Sequence, residues 1–183
     1  YYSKGNILKR STLNFNIKDQ IKLFESTKSY FSNFQFTKKS STPKKRVIFI
    51  FGLPRSGTTL VENIISSHNQ VSSVGEINFL NRFFRLNFYK KNQINLKNIN
   101  DFLNLNLQKE YFNYLKSFNL TNNIITDKSL NIYFNLGFIK HFFPECKFIH
   151  CYRNAKDNCL SIYKNLFNDN VGWKYNEKDI VDY

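Results

Sequence analysis

The spacing of apolar residues changes at position 46. Before it, Ile17, Ile21, Phe24 and Phe31 recur at steps near three, four and seven, which predicts an amphipathic helix over 17–31. Asn16 stands at the N-cap position, and Asp19 lies in the first turn. The tract KKSSTPKKR at 38–46 is polar, basic and broken by Pro43, the pattern of a linker. From 46 the run RVIFIF shows no alternation at all, which predicts a buried strand over 46–51. TTLVENIISSH (58–68) sets Leu60, Val61, Ile64 and Ile65 on one side of a helix. QVSSVG (70–75) is a weaker strand that ends at Glu76. Residues 77–88 and 107–118 read as helices, joined by an Asn- and Lys-rich connection. NIITD (123–127) reads as a strand, followed by a helix to about Phe143 that Pro144 stops. KFIHCY (147–152) is another strand, and a helix follows through about Phe167.

Strands alternating with helices imply an α/β fold, a parallel sheet with helices on both faces, preceded by a short N-terminal helical segment. The expected division is an N-terminal helical segment and basic linker over 1–45, then one α/β domain over 46–183. No internal repeat is visible. The longest clean apolar run is Val47 to Phe51, far short of the roughly 18 residues that span a bilayer, so no transmembrane segment is expected. The chain holds no Met and begins at Tyr1, which reads as a chain truncated at both ends.

Composition adds a bias toward Asn, Lys, Ile, Phe and Tyr, with Ala155 the one alanine. That bias points to an AT-rich bacterial genome and a cytoplasmic setting. The net charge is +14, and residues 1–46 hold 11 Lys and Arg against Asp19 and Glu25. A basic chain favours anionic partners. No recognised nucleic-acid module appears, so nucleic acid is not the expected partner. Cys146, Cys151 and Cys159 form no C-x-x-C pair and have no His at zinc spacing, so reduced thiols and no metal site are expected.

Chemistry concentrates in FGLPRSGTTL (51–60), between the first strand of the domain and its helix. Gly52 and Gly57 have the G-x-x-x-x-G spacing of a nucleotide phosphate loop. The position after the second Gly, Lys in NTP users, is Thr58; a basic residue lies inside the loop instead, at Arg55. Backbone amides and the helix N-terminus suit phosphate-like oxygens, Ser56, Thr58 and Thr59 offer hydroxyls, and Arg55 offers a fixed forked charge. Losing the Lys argues against ordinary Mg²⁺-dependent NTP chemistry.

PRSGTTL resembles the 5′-phosphosulfate loop of sulfotransferases that use PAPS (3′-phosphoadenosine 5′-phosphosulfate). It is most similar to the tyrosylprotein sulfotransferase-like branch, which includes bacterial members carrying tetratricopeptide repeats. Cytosolic small-molecule enzymes have Lys in place of Arg55. The resemblance runs from about Arg46 to the end of the chain. Val74-Gly75-Glu76 matches a Gly-Glu pair whose Glu is the general base. Thr126-Asp127-Lys128 matches a strand end whose Lys stabilises charge on the sulfuryl group, although Leu130 stands where the family often has Pro. Cys151-Tyr152-Arg153 through Ser161 matches an Arg and Ser that hold the 3′-phosphate. Asn165 replaces a further Arg of the tyrosylprotein enzymes.

The resemblance therefore implies in-line sulfuryl transfer from PAPS to an acceptor hydroxyl, with PAP as product and no metal. Glu76, Lys128 and Arg55 would be catalytic; Arg55, Ser56, Gly57, Thr58, Thr59, Arg153 and Ser161 would hold the donor. Peptide tyrosine, carbohydrate and small-molecule hydroxyls all remain open as acceptors, and tetratricopeptide repeats upstream would fit that branch. Two other readings stay open: a P-loop kinase of another family, with Asp127 as its metal-holding Asp, and an inactive nucleotide-binding fragment.

Overall fold

The computed structural model describes residues 1–32, 34, 45–90, 93–94, 103–168 and 171–183. Residues 38–44 of the expected linker and much of the Asn- and Lys-rich connection lie outside the described residues. The run RVIFIF forms β1 (Arg46–Phe51), and it lacks alternation because, past exposed Arg46 and half-buried Ile48, side chains on both faces of the strand are buried. β1 pairs in parallel with β5 (Ile124–Lys128) on one edge and β6 (Lys147–His150) on the other. β2 (Val71–Ser73) pairs in parallel with the far edge of β5, giving the order β2-β5-β1-β6. A small antiparallel hairpin, β3 (Tyr89–Lys90) and β4 (Gln93–Ile94), lies where the sequence pattern is silent.

Helices connect and flank the strands: α3 (Thr58–Ser66), α4 (Phe79–Asn87), α5 (Leu107–Leu115), α6 (Leu136–Phe142) and α7 (Ala155–Tyr163). The helix expected after β5 opens as a 3₁₀ stretch, Leu130–Asn135, before α6. The principal core is rich in aromatics; Phe49, Phe84, Tyr111 and Phe138 are fully buried in it. A second, smaller cluster gathers Ile162, Trp173 and Ile180 beneath α7 and α8 (Glu177–Asp182).

The N-terminal region packs onto both clusters. α2 (Ile17–Ser32) matches the predicted helix, with the Asn16 side chain accepting from the Lys18 amide. Its Phe31 ring meets Phe138 edge-on and lies so close to Gly137 that a Cβ there would sit 2.2 Å from the ring. α1 (Tyr2–Ser11) has little apolar content, so the pattern gave no signal for it. Polar contacts hold it instead: Asn6 Nδ2 donates to the Tyr163 carbonyl, and Arg10 reaches the Phe15 carbonyl and Asp179.

Two expectations change. The last predicted helix ends at Tyr163 rather than near Phe167, and the Phe167 amide is taken by the Tyr175 hydroxyl. α3 forms as expected, yet it buries Thr58 and Glu62, while Leu60 and Ile64 are 65% and 62% exposed. The helical period is right there, but the face is set by a polar contact: buried Glu62 accepts a 2.7 Å hydrogen bond from Ser73 of β2. Among the described residues, no helix is long and apolar enough to cross a membrane.

Candidate active site

In an open α/β sheet the chemistry gathers beyond the carboxyl ends of the strands, where the strand order reverses. Here all four strands deliver candidate residues to that end. β1 runs into the loop 52–57, β2 into Val74-Gly75-Glu76, β5 ends at Lys128, and β6 leads to Arg153. The ladder continues past the strands: Val74 N–H donates to Thr126 O, Lys128 N–H to Gly75 O, and Ser129 N–H to Ile50 O, each at 3.0–3.1 Å.

The loop after β1 is held tightly. A Cβ on Gly52 would lie 2.2 Å from the Cys151 carbonyl oxygen, so only glycine lets the two chains approach this closely. Gly57 caps α3 at φ 99°, and Arg55 sits at φ 68°, a left-handed conformation that costs a non-glycine residue about 1–2 kcal/mol. Two contacts hold Arg55 there. Buried Asn158 of α7 donates to the Pro54 carbonyl at 2.8 Å, and Arg55 Nε donates to Ser161 Oγ at 3.2 Å. Ser56 Oγ is buried inside the loop with no hydrogen-bond partner among the described residues. A buried hydroxyl with an unspent donor, beside a helix N-terminus and an Arg, fits an anionic oxygen of a phosphate or sulfate group.

Lys128 joins the other two loops. Its Nζ lies 3.0 Å from Glu76 Oε1 and donates to Thr59 Oγ1, also at 3.0 Å. The Lys side chain is 10% exposed and that of Glu76 54%, so the ammonium is fixed while the carboxylate faces solvent. Gly75, at φ 66°, lets the chain turn so that Glu76 meets Lys128, and its amide donates to Ser73 Oγ. A chain of polar contacts thus runs from Glu62 through Ser73 to the turn that carries Glu76.

The predicted residues form two groups. Arg55 and Ser161 meet each other; Lys128 meets both Glu76 and Thr59. Thr58 is buried in the first turn of α3. Arg153 is exposed beyond β6 and touches neither group, and Asn154 next to it caps α7 by accepting from the Lys156 and Asp157 amides. Asn165, in the position of the tyrosylprotein enzymes' further Arg, donates its side-chain amide to the Ser161 carbonyl.

Asp127 faces away from this mouth. It alternates with Lys128 along β5, so the two side chains leave opposite faces of the sheet. Its carboxyl is fully buried, accepting from Tyr111 Oη at 2.8 Å and paired with Ser129 Oγ at 2.6 Å, and burial pushes it up to about 7. A metal-holding Asp would have to point into the loop, so this placement does not support a kinase role. Among the described residues, no group of three or more His, Cys, Asp or Glu could hold a metal, and the three cysteines are free thiols.

Several residues of the site carried no sequence signal. Asn158 and Ser129 are isolated polar positions whose role depends on contacts over long separations. Glu62 reads from the sequence as a solvent-facing helix residue; its burial shows only through its contact with Ser73.

A family model described as "Sulfotransferase family" matches residues 47–183. The chain is also 27% identical over 175 residues to a protein of Aquifex aeolicus (strain VF5) described as "Uncharacterized protein". That match covers 90% of this chain and 23% of the Aquifex protein, so the chain spans about a quarter of that relative's length.

Proposed function

This chain belongs to the sulfotransferase family, and from that premise we propose that it moves a sulfuryl group from PAPS to an acceptor hydroxyl. The observation that carries the reading is the meeting of Lys128 with both Glu76 and Thr59, each at 3.0 Å, at the mouth of a phosphate loop that has Thr58 in place of Lys. A loop of this kind holds an anion through amides, hydroxyls and Arg55 without a metal-bridged γ-phosphate.

PAPS supplies the sulfuryl group and departs as PAP. Ser56, Gly57, Thr58 and Thr59 hold the 5′-phosphosulfate through amides and hydroxyls, and the N-terminus of α3 adds its positive end. Arg55 and Lys128 meet the charge that develops on the transferring group. Glu76, half exposed and beside Lys128, takes the proton of the acceptor oxygen as that oxygen bonds to sulfur. Arg153, an exposed cation just past β6, and Ser161 hold the 3′-phosphate; Arg153 closes on it when the donor binds. The tyrosylprotein-like branch is the closer fit, because Arg55 replaces the Lys of the small-molecule enzymes. A basic chain suits an acidic acceptor such as a tyrosine peptide.

Calorimetry with PAP and with ATP plus Mg²⁺, on the wild type and on Arg153→Ala, tests the donor. Preference for PAP, weakened about tenfold or more by loss of the Arg, is the expected result. Preference for ATP with Mg²⁺, or no binding of either, overturns the proposal.

A further inference from the structure

Ser129 has one hydroxyl proton and two acceptors for it. Its Oγ lies 2.6 Å from Asp127 Oδ1 and 3.3 Å from the carbonyl oxygen of Ile77, the residue after Glu76. If Asp127 is ionised, both Ser129 and Tyr111 donate to it, and the Ile77 carbonyl loses its hydroxyl. If Asp127 is protonated, it donates to Ser129, Ser129 donates to Ile77, and Tyr111 still donates to the other carboxyl oxygen. Only the protonated arrangement leaves every one of these buried groups with a partner.

We propose that Asp127 is a positioning residue: through the relay Asp127–Ser129–Ile77 it fixes the turn carrying Glu76 against the strand end carrying Lys128. Both ends of the relay sit on the active pair, because Asp127 and Ser129 flank Lys128 in the chain and Ile77 adjoins Glu76. The Lys128 amide already bonds to the Gly75 carbonyl at 3.0 Å across the same junction. With the relay closed, the Ser129–Ile77 bond adds to the Lys128–Gly75 backbone bond and the Lys128–Glu76 ion pair; with it open, the turn keeps only those two and the Val74–Thr126 bond.

The groups around Asp127 set when the relay closes. Tyr111 comes from α5 on its own face of the sheet, and Ser129 from its own turn. Burial raises the Asp127 carboxyl to about 7, the hydrogen bonds from Ser129 and Tyr111 oppose that rise, and Glu62 of α3 adds a smaller push of like charge. Lys128 and Glu76 pair with each other on the opposite face. The relay therefore holds its proton below neutral pH and loses it above. The consequence for catalysis rests on the sulfuryl-transfer reading; the relay itself does not.

The test is amide hydrogen exchange at Lys128, corrected for intrinsic rate, at pH 6 and pH 8, with the Asp127 carboxyl followed by ¹³C NMR. In the wild type, protection falls about fivefold from pH 6 to pH 8, the effect of one net hydrogen bond, as the carboxyl titrates. Asp127→Asn, whose amide donates as the protonated acid does, keeps high protection at both pH values. Ser129→Ala gives low protection at both. The relay is overturned if wild-type protection stays level while the carboxyl titrates, a result that needs no variant to fold. It is also overturned if Asp127→Asn follows the wild-type curve. PAP binding on the same samples separates the two ideas: loss of PAP binding with the exchange pattern intact sinks the sulfotransferase reading alone.

Discussion

Arg55 and Ser161, 106 positions apart, are joined by a hydrogen bond from Nε to Oγ at 3.2 Å. This bond crosses from the loop after β1 to the helix after β6, and it supports a residue whose backbone is strained at φ 68°. The Ser hydroxyl thus fixes the direction of the loop cation before any anion arrives. In Ser161→Ala, Arg55 has no side-chain partner among the described residues and must be ordered by the ligand. The expected result is PAP binding weaker by about fivefold, with the thermal midpoint nearly unchanged because the bond is exposed. Calorimetry and a melting curve on the same sample decide it. Unchanged affinity would mean that Ser161 neither orients Arg55 nor meets the donor.

Glu76 and Lys128 make a different prediction, because one is exposed and the other is not. Glu76→Gln keeps the hydrogen-bond acceptor and the shape but removes the proton acceptor. Sulfuryl transfer, followed with radiolabelled PAPS and 4-nitrophenol as a probe acceptor, should fall by about 100-fold or more, while PAP affinity changes less than about threefold. A variant retaining half of the wild-type turnover would remove Glu76 from the role of base.

The elements were legible where hydrophobic period and turn chemistry agreed. β1, α2 and α3 appear at their expected places, and the Gly loop falls between strand and helix as its context required. The site was legible only through resemblance, since spacing along the chain does not show that β5 inserts between β1 and β2 and so brings Lys128 beside Glu76. The helical period groups Leu60, Val61, Ile64 and Ile65 on one side of α3 but does not show which side is buried: Ser73 satisfies Glu62 and makes a carboxylate acceptable under the sheet. α1 leaves no mark in the hydrophobic pattern because polar contacts, not an apolar stripe, hold it.

Gly52 tests whether the loop's shape depends on the approach of β6. A methyl group at this position would sit 2.2 Å from the Cys151 carbonyl and 2.8 Å from Ser56 Oγ. The first neighbour is backbone and cannot turn away, so the loop or the end of β6 must move. Gly52→Ala should lower stability by about 2 kcal/mol or more in urea unfolding and abolish PAP binding in whatever fraction stays folded. Full stability with normal PAP affinity would show that the two chains are free to part.

Asp127 predicts the pH dependence of the fold. Its carboxyl stands near 7 in the native protein against an ordinary value of 3.8, chiefly because it is fully buried. Between those values the native state keeps a proton that the unfolded chain has released. The contribution of this group to stability is therefore fully present below about pH 4, declines as pH rises toward 7, and levels off above. Asp127→Asn removes the titration while keeping the contact to Tyr111. The difference between wild-type and variant unfolding free energies, measured by urea titration from pH 4 to 8, isolates this one group from all others. It should fall steadily across pH 4 to 7 and flatten beyond. A difference that rises over that range would mean the carboxyl is ionised in the native state, held by Tyr111 and Ser129 more strongly than burial opposes it.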